Sequence, residues 1–553
     1  MLWQIYTAAP LPGVLPESVE FRSLWFRLQP AYCTHPASVL QDLREGQEGP
    51  VKSATRKRLY QARQSSSCVR VFCNKLPNYK KYPIGCPIFA FIVWHLQILI
   101  GQLVYVISLQ LLWNHFFVVK SLLSIFTLQE NLSVMSTILL KGILLNGAVK
   151  DILINGNRIA SIGTSLPVPD APCKIVDCTG KAAVPGFVNM HTHSAMTLTR
   201  GYREDAKLQD WLQDIWKVEA RIDEEAIYWG TKLACLEMMK TGTTTFYDQY
   251  WMIDSAVQAV QEMGLRGEHA FVALDLKDEG KDAAIKAGME AMYEKSLEWG
   301  ERCRMTVGVH APYTVSDSMI QWCSGFARER GLSLHIHVSE TEQENLDSLA
   351  LNGCSPFEHL QRLGVLGPEV IAAHCVWLSE NDMDIMAANG VTAVHNINSN
   401  LKLASGSRFL YNELKGRGVN VCLGTDGCGS SNNLDMREAM KTAALLQKGW
   451  RRDPQALPLD ELMDMATLNG ARALGLDCGV LEEGRLADIV IVDIDNYAFV
   501  PGLDFLSDFI YSANSSCVES VICNGEFVME NRVVPGEKEI LENVRRVCKK
   551  LYI

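Results

Sequence analysis

The sequence predicts an α/β fold: a (β/α)8 TIM-type barrel with a small β-sandwich formed from segments before and after it. Three observations carry this reading. Eight short apolar, β-rich runs follow one another between residues 182 and 423, helical patterns fill the intervals, and short strands return beyond Gly479. A doubly wound open sheet is the rival on pattern alone.

At 553 residues the chain is too long for one compact unit. Residues 1–134 hold 13 Lys+Arg against 6 Asp+Glu (+7), which leaves −18 of the overall −11 for the remainder. The net charge of −11 argues against a nucleic-acid partner, because phosphate binding needs clustered Lys and Arg. Residues 1–86 show no sustained period. Ile88–Trp113 then runs without a charged side chain, long enough at ~20 residues to span a bilayer, with Lys75, Lys80 and Lys81 before it. Such a helix would export the rest of the chain. Yet 13 of the 17 Cys follow residue 134 without the spacing of a disulfide framework, and Cys235, Cys375 and Cys422 sit in apolar runs, which fits a reducing cytoplasm. We therefore read residues 1–134 as a gene-model artefact or dispensable leader, with membrane anchoring through residues 88–113 as the alternative.

From Met135 the chain reads as the start of a compact domain. Its short β-rich runs are punctuated by Asn-Gly at 146–147 and 155–156, a strong two-residue hairpin signal. The eight barrel runs are Ala182–Met190, Thr243–Tyr247, Gly267–Leu274, Met305–Val309, Leu332–Val338, Val370–Cys375, Val391–His395 and Val419–Leu423. Glu224–Lys240 is a representative helical interval, with Ile227, Leu233, Leu236 and Met239 on its apolar face. After it, Asp488–Asp493, Val518–Ile522 and Phe527–Met529 are expected to complete the sandwich. The expected divisions are 1–134, 135–184, 185–478 (the barrel) and 479–553.

Active sites of such barrels gather at the C-terminal strand ends. The first run ends in His191-Thr-His193, the fourth in His310, the fifth in His337-Val-Ser-Glu340, the sixth in His374, the seventh in His395 and the eighth in Asp426. Each alone has an ordinary explanation; Asp426 in Gly-Thr-Asp-Gly could be a turn former. Their coincidence on one rim points instead to a metal site. In His-x-His both imidazoles face the same side of a strand, and two such nitrogens, a third His and a carboxylate suit zinc or iron. His335, two residues before His337 on the same face, leaves open which of the two binds.

Pro185-Gly-Phe-Val-Asn-Met-His-Thr-His193, His337-Val-Ser-Glu340, Ala373-His374-Cys375 and Leu423-Gly-Thr-Asp426-Gly together resemble the motif set of the amidohydrolase superfamily. Asn400-Leu-Lys-Leu and Gly484-Arg-Leu-Ala-Asp488 narrow the resemblance to the 5-methylthioadenosine/S-adenosylhomocysteine deaminase group. The resemblance implies one divalent metal, zinc with iron(II) or manganese(II) as alternatives, bound by His191, His193, His337 and Asp426. It selects His337 over His335, because the His-x-x-Glu pattern fits only the former. The fourth run has no Lys to bridge a second metal.

The same resemblance implies hydrolytic deamination of the adenine of a 5′-modified adenosine. Asp426 accepts a proton from the attacking water, His374 orients the resulting hydroxide, and Glu340 protonates the ring nitrogen. Glu219 matches a carboxylate that holds ribose hydroxyls, His310 a substrate-binding His, and Ser430 a pocket residue near the 5′ substituent. Relatives that take S-adenosylhomocysteine use arginines after the third strand; residues 274–282 carry Lys281 and no Arg, which favours a neutral 5′ group. The competing function is hydrolysis of a non-nucleoside heterocycle, a triazine or free base, which would leave Glu219 without a ribose diol. The expected partners are a small-molecule nucleoside and further copies of the chain.

Overall fold

The computed structural model describes residues 137–552. The expectations for residues 1–134, the apolar segment among them, lie outside the described residues. Among the described residues no helix is long and apolar enough to cross a membrane.

Strands β1 (Thr137–Leu145), β2 (Ala148–Asn155), β3 (Arg158–Gly163), β4 (Cys173–Asp177) and β5 (Lys181–Pro185) come first. The barrel follows with β6 (Phe187–Thr192), β7 (Thr243–Tyr250), β8 (Arg266–Ala273), β9 (Cys303–Val309), β10 (Leu334–Val338), β11 (Val370–His374), β12 (Thr392–His395) and β13 (Val421–Leu423). Strands β14 (Ile489–Asp493), β15 (Val518–Cys523) and β16 (Glu526–Met529) complete the set.

Strands β6 to β13 pair in parallel in chain order, with helices between them. Their faces are covered by helices outside and by one another inside. That double burial is why they read as continuous apolar runs, and β6, β7, β10, β11 and β12 are buried at every position. The ring closes through backbone: Thr425 N and Asp426 N, just past β13, donate to the His191 carbonyl of β6 at 3.1 and 2.9 Å. The Asn189 amide, buried at the seam, donates to Thr425 Oγ1 at 2.7 Å and accepts from Thr425 N at 3.0 Å. The helix after β6 and its loop, Glu224–Thr241, starts at an Asp223 cap that accepts from Ala226 N and stops at Gly242 with φ 96°, a left-handed conformation that favours glycine.

The run Ala182–Met190, expected as one strand, is two. It breaks at Gly186, so that β5 joins the small sheet and β6 the barrel. At Gly186 a Cβ would come within 2.2 Å of Thr244 Oγ1, so a side chain has no room where the chain changes sheets. Segments before and after the barrel do pair: β5 runs antiparallel to β14 from Lys181↔Asp493 to Pro185↔Ile489. They form one hydrogen-bonded sheet in the order β16-β15-β14-β5-β1-β2-β3, with β4 on β1, around a core that includes Ile138, Ile152, Ile154, Ile489 and Ile522.

Two details depart from the sequence reading. The first Asn-Gly turn lies as expected, with Asn146 and Gly147 at φ 50° and 77°. The second turn uses Gly156-Asn157, because Asn155 pairs with Arg158. The segment after residue 479 does not belong wholly to the sheet. Its last helix, Glu537–Leu551, packs on the barrel helix Glu224–Thr241, where Arg546 and Lys550 both pair with Glu225 at 2.7 Å. Its apolar stripe of Ile540, Val544, Val547 and Leu551 is buried.

Candidate active site

The C-terminal strand ends bring the expected cluster together. Asp426 Oδ1 lies 3.3 Å from both His191 Nε2 and His193 Nε2. Two groups of possible metal donors share His191: one with His193 and Asp426, the other with His337 and His374, each with its donor atoms within 4.8 Å of one another. Three residues at these strand ends, Ser339, His374 and Asp426, hold φ between 53° and 74°, strained for side-chain-bearing residues and common where function fixes the backbone.

Hydrogen bonding sorts the imidazoles. His193 Nδ1 donates to Gln249 O and His337 Nδ1 to His310 O, both at 2.6 Å. A carbonyl can only accept, so each neutral ring keeps its lone pair on Nε2, the atom a metal needs. His374 is opposite. Its Nδ1 accepts from Asn400 Nδ2 at 3.0 Å, so the neutral ring carries its proton on Nε2, 3.8 Å from Glu340 Oε2. It is built as a donor beside the cluster. His191 Nε2 is buried without a hydrogen-bond partner. Two Nε2 lone pairs, the unpartnered His191 Nε2 and one carboxylate make a donor set that fits a divalent metal.

Electrostatics agree for most of the set. Burial pushes His191 down to about 4, and burial with the neighbouring imidazoles holds His337 well below the usual range, so both rings are neutral at neutral pH. Burial raises Asp426, but its contacts with His191 and His193 outweigh this and keep it an anion. His193 differs: burial lowers it, while Asp426 and the Gln249 carbonyl prevail and hold it at about 9. Metal binding there displaces a proton. Ser399 and Ser430 donate to Asp426 Oδ2 at 2.6 and 3.0 Å.

A cleft of ≈ 700 Å³, its open mouth included, stands over the cluster. His193, His337, His374, Asp426, Glu340, His310 and Glu219 all line it. Burial, then the charge of Asp426, pushes Glu340 up to about 8, against a weaker opposing effect of His193. Its backbone is fixed by Glu344, whose carboxylate accepts from Ser339 N and Glu340 N at 2.8 Å. Glu219 is pushed up to about 7 by burial, opposed by the hydrogen bond from Tyr250. His310 Nδ1 lies 2.8 Å from Thr314 Oγ1; the Thr314 hydroxyl donates to Ala311 O, so His310 donates to Thr314 and its Nε2 remains an acceptor.

One expected pocket residue is misplaced. Ser430 is buried behind Asp426, bonded to its carboxylate and to Ser399, and is not part of the cleft wall. It follows Asp426 by four residues in the short helix Cys428–Ser431, and that turn points its hydroxyl back at the carboxylate. His395 also stays out of the cluster; its ring is buried in a stack on Phe409, centroids 4.0 Å apart.

Sequence reasoning missed the aromatic wall. The helix Leu208–Glu219 presents Trp211, Leu212, Ile215, Trp216 and Glu219 to the cleft, at the 3.6-residue spacing of one face. Tyr250, Trp251 and Tyr313 complete it. The apolar stripe was legible, but a stripe reads as core until the fold shows a cavity beneath it.

Residues 182–528 match the model of the amidohydrolase family. The chain belongs to the amidohydrolase family. This amidohydrolase is a hydrolase of carbon–nitrogen bonds. It is 45% identical over 370 residues to a 5′-deoxyadenosine deaminase of Methanoregula boonei, covering 66% of this chain and 84% of that one. To the 5-methylthioadenosine/S-adenosylhomocysteine deaminase 1 of Archaeoglobus fulgidus it is 40% identical over 403 residues, 72% and 94% of the two chains. The crystal structure of an adenosine deaminase from Xanthomonas campestris with bound zinc superposes with a TM-score of 0.71 at 32% identity, over 75% of this amidohydrolase and 98% of the other chain. A zinc-complexed atrazine chlorohydrolase from Arthrobacter aurescens, at 24% identity and TM-score 0.69 over 74% and 100% of the two chains, shares the fold.

Proposed function

We propose that this amidohydrolase deaminates the adenine of a 5′-modified adenosine, such as 5′-deoxyadenosine or 5′-methylthioadenosine, giving the hypoxanthine nucleoside and ammonia. The observation that carries this reading is the presence of two buried carboxyls with different partners in one cleft: Glu340 beside His374, and Glu219 held by Tyr250. The first suits proton delivery to a ring, the second a ribose diol. The names and extent of the relatives support the same substrate class.

His191, His193, His337 and Asp426 would hold the metal, which we take to be zinc. When bound, such an ion lowers the pKa of water toward ~7, making hydroxide available at neutral pH. Asp426 takes up the proton released. His374, with Nδ1 occupied by Asn400, offers Nε2–H to the attacking oxygen and fixes its line of approach to the amine-bearing carbon. Glu340, held near 8 and so protonated at neutral pH, gives its proton to the adjacent ring nitrogen. Water adds at carbon, the carbon–nitrogen bond breaks, and ammonia leaves with protons returned through Glu340 and Asp426. His310 Nε2 accepts from the substrate, and Glu219 accepts from the ribose hydroxyls. The Trp211–Trp216 wall packs the base and excludes water.

The test is ammonia release over a panel of 5′-deoxyadenosine, 5′-methylthioadenosine, adenosine, free adenine and a triazine. Nucleosides should be turned over and the free base and triazine should not. Turnover of the triazine with none of the nucleosides would reject the proposal.

A further inference from the structure

His335 and His337 lie two residues apart on β10, so both side chains enter the barrel, at successive depths. His337 reaches the donor cluster. His335 stops behind it, fully buried, with its Nε2 2.8 Å from His191 Nδ1 and the two ring planes nearly parallel, at 11°, as an in-plane hydrogen bond requires. Its other side meets Tyr247 in a T-shaped contact at 4.5 Å, and its Nδ1 has no hydrogen-bond partner.

One arrangement of protons fits these contacts. His191 must keep a lone pair on Nε2 if that atom is to bind a metal, so its Nδ1 carries the proton and donates to His335 Nε2. His335 then carries its own proton on Nδ1, the atom that has no hydrogen-bond partner. His193 and His337 give their Nδ1 protons to backbone carbonyls, which come with the fold. His191 gives its proton to a side chain, which a substitution can remove.

We propose that His335 is a positioning residue: as the acceptor for His191 Nδ1, it holds His191 in the tautomer and ring orientation that present Nε2 to a divalent metal. This rests on the reading that the cluster binds such a metal. His335 touches neither substrate nor metal, and its loss acts through His191.

The experiment compares His335→Phe, which keeps a buried ring without an acceptor, with His335→Gln, whose side-chain amide oxygen can accept from His191. Zinc content of the purified proteins is measured by elemental analysis, and zinc affinity by competition with a chelator of known strength. His335→Phe should bind zinc roughly 10–100-fold more weakly than wild type, the usual cost of losing an outer partner of a metal ligand. His335→Gln should stay within a few-fold of wild type. Should His335→Phe not fold, His335→Ala takes its place with the same expectation. Wild-type affinity in His335→Phe, or an equal loss in His335→Gln, would overturn the proposal, the latter by assigning the effect to packing against Tyr247. A wild-type protein that holds no metal would instead sink the metal reading itself, so the two failures are distinct.

Discussion

Tyr250 Oη donates to Glu219 Oε1 at 2.6 Å, joining the last residue of β7 to the last residue of the helix that walls the cleft. Both groups are buried, and burial and the Glu219 carboxylate push the tyrosine hydroxyl far above its ordinary range, so it stays a donor. The bond leaves Oε2 of Glu219 to face the cleft contents.

Removing this pair should affect ribose recognition. Glu219→Gln is expected to raise KM for 5′-deoxyadenosine by roughly 10–100-fold, since a hydrogen bond to a charged group is worth about 1.5–3 kcal/mol. A 2′,3′-dideoxy analogue should show little change. Tyr250→Phe should raise KM by a smaller factor with kcat nearly intact. Because Glu219 ionises near 7, wild-type KM should fall as pH rises from 6 to 8 and the carboxylate becomes a full acceptor. A pH-independent KM, or an equal penalty on the dideoxy analogue, rejects this role.

Glu340→Gln should retain a full equivalent of metal while kcat falls by ~10²–10⁴, the usual contribution of general acid–base catalysis. The amide is nearly isosteric, so packing cannot account for such a loss. Wild-type kcat should decline above pH 8 as the acid is lost. Steady-state kinetics between pH 5 and 9.5, with elemental analysis of the variant, decide the matter.

The same carboxyl bears on stability. Its folded pKa of about 8 exceeds the ordinary 4.5, so the folded chain keeps a proton that the unfolded chain has released between those values. Its stabilising contribution is complete below about 4.5 and is lost as pH rises toward 8. Glu340→Gln, which does not titrate, should therefore gain in melting temperature relative to wild type between pH 5 and pH 8. Parallel melting curves at the two pH values would contradict this.

His337→Ala should lose its metal or bind it weakly, because three protein ligands remain and one position opens to solvent. Elemental analysis after purification checks it. A full equivalent in this variant would remove His337 from the ligand set.

Among the described residues lining the cleft there is no Arg or Lys, and the Leu208–Glu219 helix offers it tryptophan, leucine, isoleucine and the Glu219 carboxylate. The loop after β8 is pinned by Asp275, which accepts from Ser316 N and Lys277 N, and neither Lys277 nor Lys281 lines the cleft. We therefore expect higher kcat/KM for 5′-methylthioadenosine or 5′-deoxyadenosine than for S-adenosylhomocysteine, whose carboxylate would lack a bidentate partner. S-adenosylhomocysteine emerging as the best substrate would point to a cation brought from elsewhere.

The barrel was legible in the sequence because parallel strands buried on both faces become unbroken apolar runs, and polar residues at their C-terminal ends stand out against them. His191, His193, His374 and Asp426 could be picked that way; the choice of His337 over His335, and of Glu340 three residues beyond it, came from the resemblance to a motif set. Depth, tautomer and chain crossings could not. His335 and His337 have the same residue type, strand and facing, and their rings lie equally far from His191, at 4.9 Å; only depth differs, with His335 against His191 Nδ1 and His337 among the candidate donor atoms. Ser430 looked like a pocket residue until the turn after Asp426 aimed its hydroxyl back at the carboxylate. The Tyr250–Glu219 bond and the Asn189–Thr425 seam join residues 31 and 236 positions apart. Local pattern carries what each strand buries; which side chains meet at the end of eight strands is set by how the ring closes.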